Sequence, residues 1–113
     1  MEFSKFILVA AYVPNSGDKL QRLKYRVDSW DVDFQSYLTT LQSKGKMVIL
    51  AGDLNVAHNE LDIFDTKGKE KGPGYTPEER ESFNKLLISG FVDTYRSLYP
   101  EKRQYTWWNV RFK

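Results

Sequence analysis

Cysteine is missing from this 113-residue chain, and histidine occurs only once, as His58. Without cysteine there can be no disulfide framework, no thiolate zinc site and no cysteine nucleophile. A single histidine cannot build a multi-histidine zinc site, so a bound metal would be a hard cation with oxygen ligands, such as Mg²⁺ or Mn²⁺. The absence of cysteine is compatible with an intracellular protein.

Strong net charge and long hydrophobic runs are missing as well. The net charge is +2, which gives no global basic field. The longest apolar run, residues 6–13, is too short to cross a membrane, so we expect no membrane association. What the chain does have is an ordinary globular composition, 41% hydrophobic and 15% aromatic, which argues against disorder and for one domain with a core.

The hydrophobic pattern of the first half predicts a strand, a helix and a second strand. Residues 6–13 predict a strand covered on both faces, and residues 47–50 a second buried strand. Between them, residues 18–43 predict one long amphipathic helix, because apolar residues recur every three or four positions. These residues are Leu20, Leu23, Val27, Trp30, Phe34, Leu38 and Leu41. A strand–helix–strand unit favours parallel pairing and an α/β fold.

The second half predicts a long loop and a well-marked helix. Residues 58–75 are mostly polar and predict a long loop, a feature that is often functional. Thr76, Pro77 and Glu79 predict a helix start with a capping box, and Gly90 predicts its end. We therefore assign Glu79 to helix capping and His58 to a structural hydrogen bond. Residues 91–98 predict a short helix or turn, and residues 105–108 a further strand.

Two polar residues, Asp53 and Asn55, follow the second predicted strand at once. Residues two apart on an extended segment point to the same side, so a carboxylate and a carboxamide are expected to converge there. Open α/β sheets bind ligands at this end of their strands. The alternative interpretation is an Asx turn that only caps the strand.

Four segments resemble the exonuclease III/AP endonuclease family of the endonuclease–exonuclease–phosphatase superfamily. They occur in one order and read AYVPNSG (11–17), GDLNVAH (52–58), GYTPEER (74–80) and YTWW (105–108). The resemblance implies a four-layer α/β sandwich in which mixed β-sheets are flanked by helices. It also implies a DNA-repair enzyme that uses Mg²⁺ (or Mn²⁺) to hydrolyse the phosphodiester 5′ to abasic sites in double-stranded DNA. Some family members also act as 3′–5′ exonucleases.

The resemblance implies roles for three candidate catalytic residues. Asp53 matches the aspartate that orients or deprotonates the attacking water, and Asn55 an asparagine that binds the scissile phosphate. Both are also expected at the metal. Tyr12 matches a tyrosine whose hydroxyl approaches the same phosphate, although a half-buried structural tyrosine is the alternative.

Further residues are expected to bind the DNA. The resemblance implies contacts from Asn15 and a wall of the abasic-sugar pocket from Trp107, although a turn asparagine and a core tryptophan are the alternatives. Lys67, Lys69 and Lys71 share one loop, and are either solvated or bind phosphates in a salt-sensitive way. Asp18 departs from relatives that have an arginine there.

The resemblance also implies family segments that this sequence does not contain, among them a glutamate metal ligand and a serine–aspartate–histidine motif. We therefore expect residues 1–113 to be the central portion of the domain, without its N-terminal and C-terminal segments, and to be inactive alone. The alternatives are a purely DNA-binding or structural unit, or another nuclease or phosphatase of the superfamily. Exposed sheet edges are expected to favour self-association. An intracellular location is expected, in a bacterial or archaeal cytoplasm or a eukaryotic nucleus.

Overall fold

A parallel pair of strands forms the centre of the fold in the computed structural model, which describes residues 1–111. Strand β1 (Phe6–Tyr12) pairs with strand β2 (Met47–Asp53) in a register that runs from Phe6↔Met47 to Tyr12↔Asp53. Both strands are rich in β-branched and other apolar residues. The predicted parallel pairing and the α/β class are confirmed, whereas the four-layer sandwich stays a prediction.

The connection between the strands is one continuous helix in three segments. It consists of α1 (Leu23–Tyr25), a π-helical segment (Arg26–Trp30) and α2 (Asp31–Gln42). The predicted start at residue 18 is wrong, because the chain first makes a turn in which the Leu20 N–H donates to the Gly17 carbonyl. Gly17 and Leu20 both have positive φ there, so the helix cannot begin before this turn ends.

The core lies between this helix, one face of the sheet and the helix of the second half. Its buried apolar side chains are Ile7, Val13, Leu38, Leu41, Tyr75 and Leu86. The prediction that both strands are buried is wrong. Side chains alternate along β2, with Met47 and Ile49 exposed and Val48 and Leu50 partly covered, because within residues 1–111 only one face of the sheet is packed.

The two edges of the sheet differ. Along β1, the Met1 ammonium donates to the Leu8 carbonyl (2.7 Å) and the Leu8 N–H donates back to Met1 (2.8 Å), so the first residues cover part of that edge. A Lys46–Glu2 ion pair (3.0 Å) supports this arrangement and lowers the pKa of Glu2. Among residues 1–111, no strand pairs with the other edge of β2. Self-association through this edge stays a prediction.

The second half begins with a long ordered loop and continues into two helices. The loop contains short 3₁₀ turns at Glu60–Asp62 and Lys69–Lys71. Helix α3 (Pro77–Ile88) starts with the predicted capping box, in which Thr76 accepts from the Glu79 N–H and Glu79 binds back. Helix α4 (Thr94–Leu98), capped by Asp93, confirms the predicted short helix.

The predicted strand at residues 105–108 is wrong. The described part of this segment, through residue 111, has no strand, and Trp107 and Trp108 are 72% and 63% exposed. A strand needs a partner for its backbone groups, and residues 1–111 provide none here. Within the same described range, no helix is long and apolar enough to cross a membrane.

Candidate active site

Tyr12 and Asp53 lie side by side at the carboxyl end of the sheet. They are the last register pair of the two parallel strands, so their backbones are about 4.8 Å apart. Asp53 is exposed, and the Tyr12 side chain is 75% exposed. The structural alternative of a half-buried Tyr12 is therefore wrong. Two polar groups stand together in the position where open α/β sheets bind ligands.

Gly52 makes this close pairing possible. Its φ is +126°, a value that side chains rarely allow, and a Cβ atom built on it would lie 2.0 Å from the Ala11 carbonyl oxygen. The apolar run predicts a strand that ends at Leu50, but β2 continues through Ala51 and Gly52 to Asp53. The glycine before Asp53 thus lets β2 stay paired with β1 to its last residue.

Asn55 lies beside Asp53, but not in the extended conformation that the spacing of the two residues predicts. Its φ is +50°, so residues 53–55 are not extended, and the Asp53 carboxylate accepts the Asn55 N–H (2.9 Å) in an Asx turn. The Asn55 carboxamide donates to the Val13 carbonyl (2.6 Å), while the Val13 N–H donates to the Asp53 carbonyl (2.9 Å). The prediction of an extended segment is wrong, yet a turn still brings Asp53 and Asn55 together.

Asn15 stands on the loop that leaves β1. Its side-chain oxygen accepts the Gly17 N–H (2.8 Å), and its carbonyl accepts from Arg22 (3.0 Å). The side chain is exposed, and its amide nitrogen takes no part in this turn. The turn geometry that favours asparagine is therefore present, and it leaves the carboxamide nitrogen available for other contacts.

A buried ion pair lies beneath these loops. Arg26, 3% exposed, pairs with Glu79, 1% exposed, and also donates to the carbonyls of Leu54 and Asn55. The sequence predicts capping alone for Glu79, which in fact makes the capping box and this ion pair together. Sequence reasoning missed Arg26. The apolar pattern of the helix continues at Val27 and does not include Arg26, so the sequence carries no clear signal of its burial.

Asp31 extends the buried polar cluster. Its carboxylate accepts from the Ser82 hydroxyl (2.7 Å) and lies 3.9 Å from the Arg26 guanidinium. Burial raises the pKa of this carboxyl, while the Ser82 hydrogen bond and the Arg26 charge oppose the rise. The cluster therefore contains two carboxylates around one guanidinium.

Comparison with known proteins identifies the relatives of this arrangement. No family model matches the chain. A zebrafish (Danio rerio) protein, DNA repair nuclease APEX1, is 53% identical over 108 residues, which cover 95% of this chain and 34% of that protein. An exodeoxyribonuclease of Streptococcus pneumoniae is 43% identical over 114 positions, which cover 100% of this chain and 41% of that protein. The crystal structure of the Leishmania major AP endonuclease LMAP superimposes with a TM-score of 0.86 at 35% identity, covering 93% of this chain and 36% of that one.

Over nearly its whole length, the chain is similar to proteins of the exonuclease III/AP endonuclease family. It spans between about a third and two fifths of the length of these relatives. The family assignment made from the four short segments is thereby confirmed.

The three loop lysines and Trp107, the remaining candidate DNA contacts, lie in other segments of the chain than the strand ends. Lys67, Lys69 and Lys71 are exposed on the long loop, whose base is closed where the Ala57 N–H donates to the Gly74 carbonyl (2.7 Å). Trp107 follows Arg103, which donates to the carbonyls of the same loop. In residues 1–111, no hydrogen bond joins these lysines or Trp107 to Asp53 or Asn55. The structure thus brings Tyr12, Asp53 and Asn55 together at the strand ends, with Asn15 on the loop that follows β1.

The single histidine, His58, makes contacts that stabilise the fold. The His58 ring hydrogen-bonds the Asn84 side chain and packs on Phe83, with ring centroids 4.8 Å apart. Its carbonyl accepts from Arg80 (2.8 Å). These contacts agree with a residue that joins the loop after β2 to α3.

The donor groups at the strand ends suit a hard cation but are few. Asp53 offers a carboxylate oxygen beyond the one in the Asx turn, and Asn55 offers an amide oxygen, which are ligand types that Mg²⁺ prefers. Within residues 1–111, no group of three acidic or histidine side chains could hold a metal ion. The described residues therefore fit part of a magnesium coordination sphere.

Proposed function

We propose that this chain carries the water-activating and phosphate-binding part of an AP endonuclease, which hydrolyses the phosphodiester 5′ to abasic sites during DNA repair. The observation that supports this function is the cluster of Tyr12, Asp53 and Asn55 at the carboxyl ends of two parallel strands. The names of the relatives, a DNA repair nuclease, an exodeoxyribonuclease and an AP endonuclease, support the same reaction class.

Each residue of the cluster has a group available for this chemistry. One Asp53 oxygen accepts the Asn55 N–H, so the other is available to orient and deprotonate the attacking water. One N–H of the Asn55 carboxamide donates to Val13, and its second N–H can bind a non-bridging phosphate oxygen. The exposed Tyr12 hydroxyl can donate to the same phosphate. Attack by the water breaks the bond between phosphorus and the 3′ oxygen, which leaves as an alkoxide and takes up a proton from solvent, while the phosphate stays on the 5′ side of the abasic sugar.

We also propose that Mg²⁺ (or Mn²⁺) binds beside this cluster, with Asp53 and Asn55 among its ligands. Such an ion would supply Lewis-acid stabilisation of charge on the phosphate. Magnesium sites commonly use one or two protein carboxylates and complete the shell with water and substrate phosphate. The carboxylate of Asp53 and the amide oxygen of Asn55 have the right chemistry for this partial role.

Duplex DNA with an abasic site is the proposed partner, and the location that it implies is intracellular. Lys67, Lys69 and Lys71 are proposed to contact backbone phosphates, because all three are exposed on one loop. Asn15 and the exposed Trp107 are proposed to contact the strand near the abasic sugar. These contacts position the DNA, and the strand-end cluster performs the hydrolysis.

A chimera tests the function without the chain having to act alone. This chain replaces the 108-residue matched segment of the zebrafish protein, and the substrate is a labelled duplex with one tetrahydrofuran abasic-site analogue. We expect nicking with Mg²⁺ and none with EDTA. Removal of the base in Asp53→Asn is expected to lower kcat by about 10²- to 10⁴-fold.

The matched control is Asp65→Asn, which alters an acidic residue that binds the Lys67 N–H in the same stretch of chain. It should nick like the unmodified chimera. A folded chimera with no metal-dependent nicking would overturn the proposed function. Equal cleavage of an intact duplex would indicate a non-specific nuclease, and release of phosphate from 3′ ends alone a phosphatase. The 113-residue chain alone is expected not to nick.

The salt dependence of DNA binding tests whether the lysine loop, the long loop that carries Lys67, Lys69 and Lys71, contacts phosphates. Changing Lys67, Lys69 and Lys71 to Gln should weaken binding of all duplexes and reduce the slope of log K against log salt by about 0.9 for each lost phosphate contact. Lys24→Gln, on the exposed face of α1, is the control. An unchanged slope in the triple variant would show that the loop is only solvated.

A further inference from the structure

Arg26 donates a hydrogen bond to the backbone of Asn55, the residue to which the proposed function assigns phosphate binding. It lies in the π-helical segment, a feature often found at functional sites. Its guanidinium donates to the Leu54 carbonyl (2.7 Å) and to the Asn55 carbonyl. An arginine that is 3% exposed is therefore directed at the two residues that follow Asp53.

Glu79 connects this arginine to the loop after β1. One of its carboxylate oxygens accepts from Arg26 and from the Ser16 hydroxyl (2.8 Å). The other accepts from the Gly74 N–H (2.9 Å) and the Thr76 hydroxyl (2.7 Å). The ion pair thus joins the helix between β1 and β2, the start of α3, and the loops that follow β1 and β2, here called the strand-end loops.

These bonds account for the unusual conformation of Asn55. With φ at +50°, Asn55 turns its carbonyl inward to Arg26, while its carboxamide donates to Val13 on the opposite loop. Without a buried donor that carbonyl would be unsatisfied, since it has left the β-ladder. The position of the Asn55 side chain therefore depends on a group that lies beneath the surface.

We propose that Arg26 is a positioning residue, which holds Asn55 and the two strand-end loops in their reactive arrangement through its bonds to the Leu54 and Asn55 carbonyls. This inference rests on the proposed function, because it assigns Asn55 to the phosphate. Arg26 itself is buried and does not touch the substrate. Its effect on hydrolysis is exerted through the backbone of residues 54 and 55.

Two variants separate positioning from folding. Arg26→Met removes the guanidinium and leaves Glu79 buried without its partner. The double variant Arg26→Met/Glu79→Gln removes both charges, while the side-chain oxygen of the new glutamine can still accept from Gly74 and Thr76. Replacing a buried ion pair by uncharged groups is often neutral for stability. The double variant is therefore expected to fold, yet it cannot bind the two carbonyls.

Hydrogen exchange and kinetics give the decisive measurements. In the isolated chain, both variants should exchange the amides of Val13 and Asn55, which donate to Asp53, at least about 10-fold faster. In the chimera, kcat should fall by about 10- to 100-fold, while KM for the duplex changes less than about threefold. Leu41→Val, which trims a core side chain far from the loops, is the control that lowers stability without these effects.

The two proposals fail in different ways. If the unmodified chimera does not nick, the proposed function is wrong, and hydrogen exchange at Val13 and Asn55 in the chain still decides whether Arg26 fixes the loops after β1 and β2. If the chimera nicks and the double variant keeps its kcat and its slow exchange, the positioning role is wrong and the proposed function stands. Faster exchange with unchanged kcat would also overturn the catalytic part of the inference.

Discussion

The loops at the strand ends and the segment that includes Trp107 and Trp108 are built in opposite ways. In the strand-end loops, backbone and side-chain groups bind one another, and a buried ion pair supports them from below. In the described part of the segment from residue 99 to 111, both tryptophans are largely exposed. One region is fixed by hydrogen bonds among its own groups. The other is anchored by Arg103, which donates to the long loop, and by Arg96, which donates to the carbonyls of Tyr99 and Lys102.

The difference shows where a short motif is sufficient to specify geometry. Residues 52–55 find their hydrogen-bond partners in neighbouring parts of the same chain, so the motif and its surroundings form together. Residues 105–108 have strong β-propensity, but propensity alone does not provide a partner for the backbone. Local sequence is therefore a better guide to the strand-end loops than to the tryptophan segment.

The largest effect is expected from Glu79→Ala. It leaves the buried Arg26 unpaired and removes half of the capping box, so the free energy of unfolding should fall by about 3–5 kcal/mol. Glu78→Ala, in the same helical turn but exposed, should cost at most about 1 kcal/mol. Urea unfolding measures both. Equal losses would mean that the buried ion pair does not stabilise the strand-end loops.

A somewhat smaller effect is expected from Gly52→Ala. The new Cβ would clash with the Ala11 carbonyl at a φ of +126°, and we expect a loss of about 2–4 kcal/mol. Gly45→Ala is the matched control, because its φ is also positive (+83°) but nothing lies within 4 Å. Its loss should be about 1 kcal/mol. A control as destabilised as the test variant would attribute the whole effect to φ and none to the close pairing.

The pH dependence of stability is a finer probe of the buried cluster. Because burial raises the pKa of Asp31 above 3.8, the wild type is favoured relative to Asp31→Asn at acid pH, and this advantage is lost as the pH rises through the folded-state pKa. Unfolding of both proteins should be compared from about pH 3 to pH 7. Asp33→Asn controls for loss of an exposed charge. A wild-type advantage that grows with pH would contradict the assignment.

The smallest effect on stability is expected in the exposed segment. Trp107→Ala should change the free energy of unfolding by less than about 0.5 kcal/mol, because the side chain is 72% exposed. Tyr75→Ala, which removes a buried aromatic side chain, should cost about 3–5 kcal/mol. Thermal unfolding of the two variants tests the contrast. A large loss for Trp107→Ala would show that the segment is packed more firmly than its exposure indicates.

Much of the fold could be predicted, because local rules determine it. Continuous apolar runs located both strands, and the Thr76–Pro77–Glu79 signature located the start of α3. The helix start was missed because a turn with positive φ at Leu20 overrides a helical pattern. Strand burial was missed because it depends on what covers the second face of the sheet, which hydrophobicity alone does not state.

For the candidate site, the sequence indicates which residues come together but not the conformation in which they do so. Spacing and resemblance single out Asp53, Asn55 and Tyr12, and the structure brings them together. The left-handed Asn55 and the support from Arg26 were not foreseen. A π-helical segment shifts which helix residues face inward, so regular periodicity cannot identify Arg26 as buried.

The closed base of the lysine loop has a practical consequence for engineering. The chain enters and leaves this loop at a single hydrogen bond between Ala57 and Gly74, so length added at its tip does not pull on the strands. Gly68 is a suitable insertion point at the tip, because a Cβ atom added there would meet nothing within 4 Å. A fluorescent tag placed there would test the proposed contact of the lysines with DNA while Tyr12, Asp53 and Asn55 stay undisturbed.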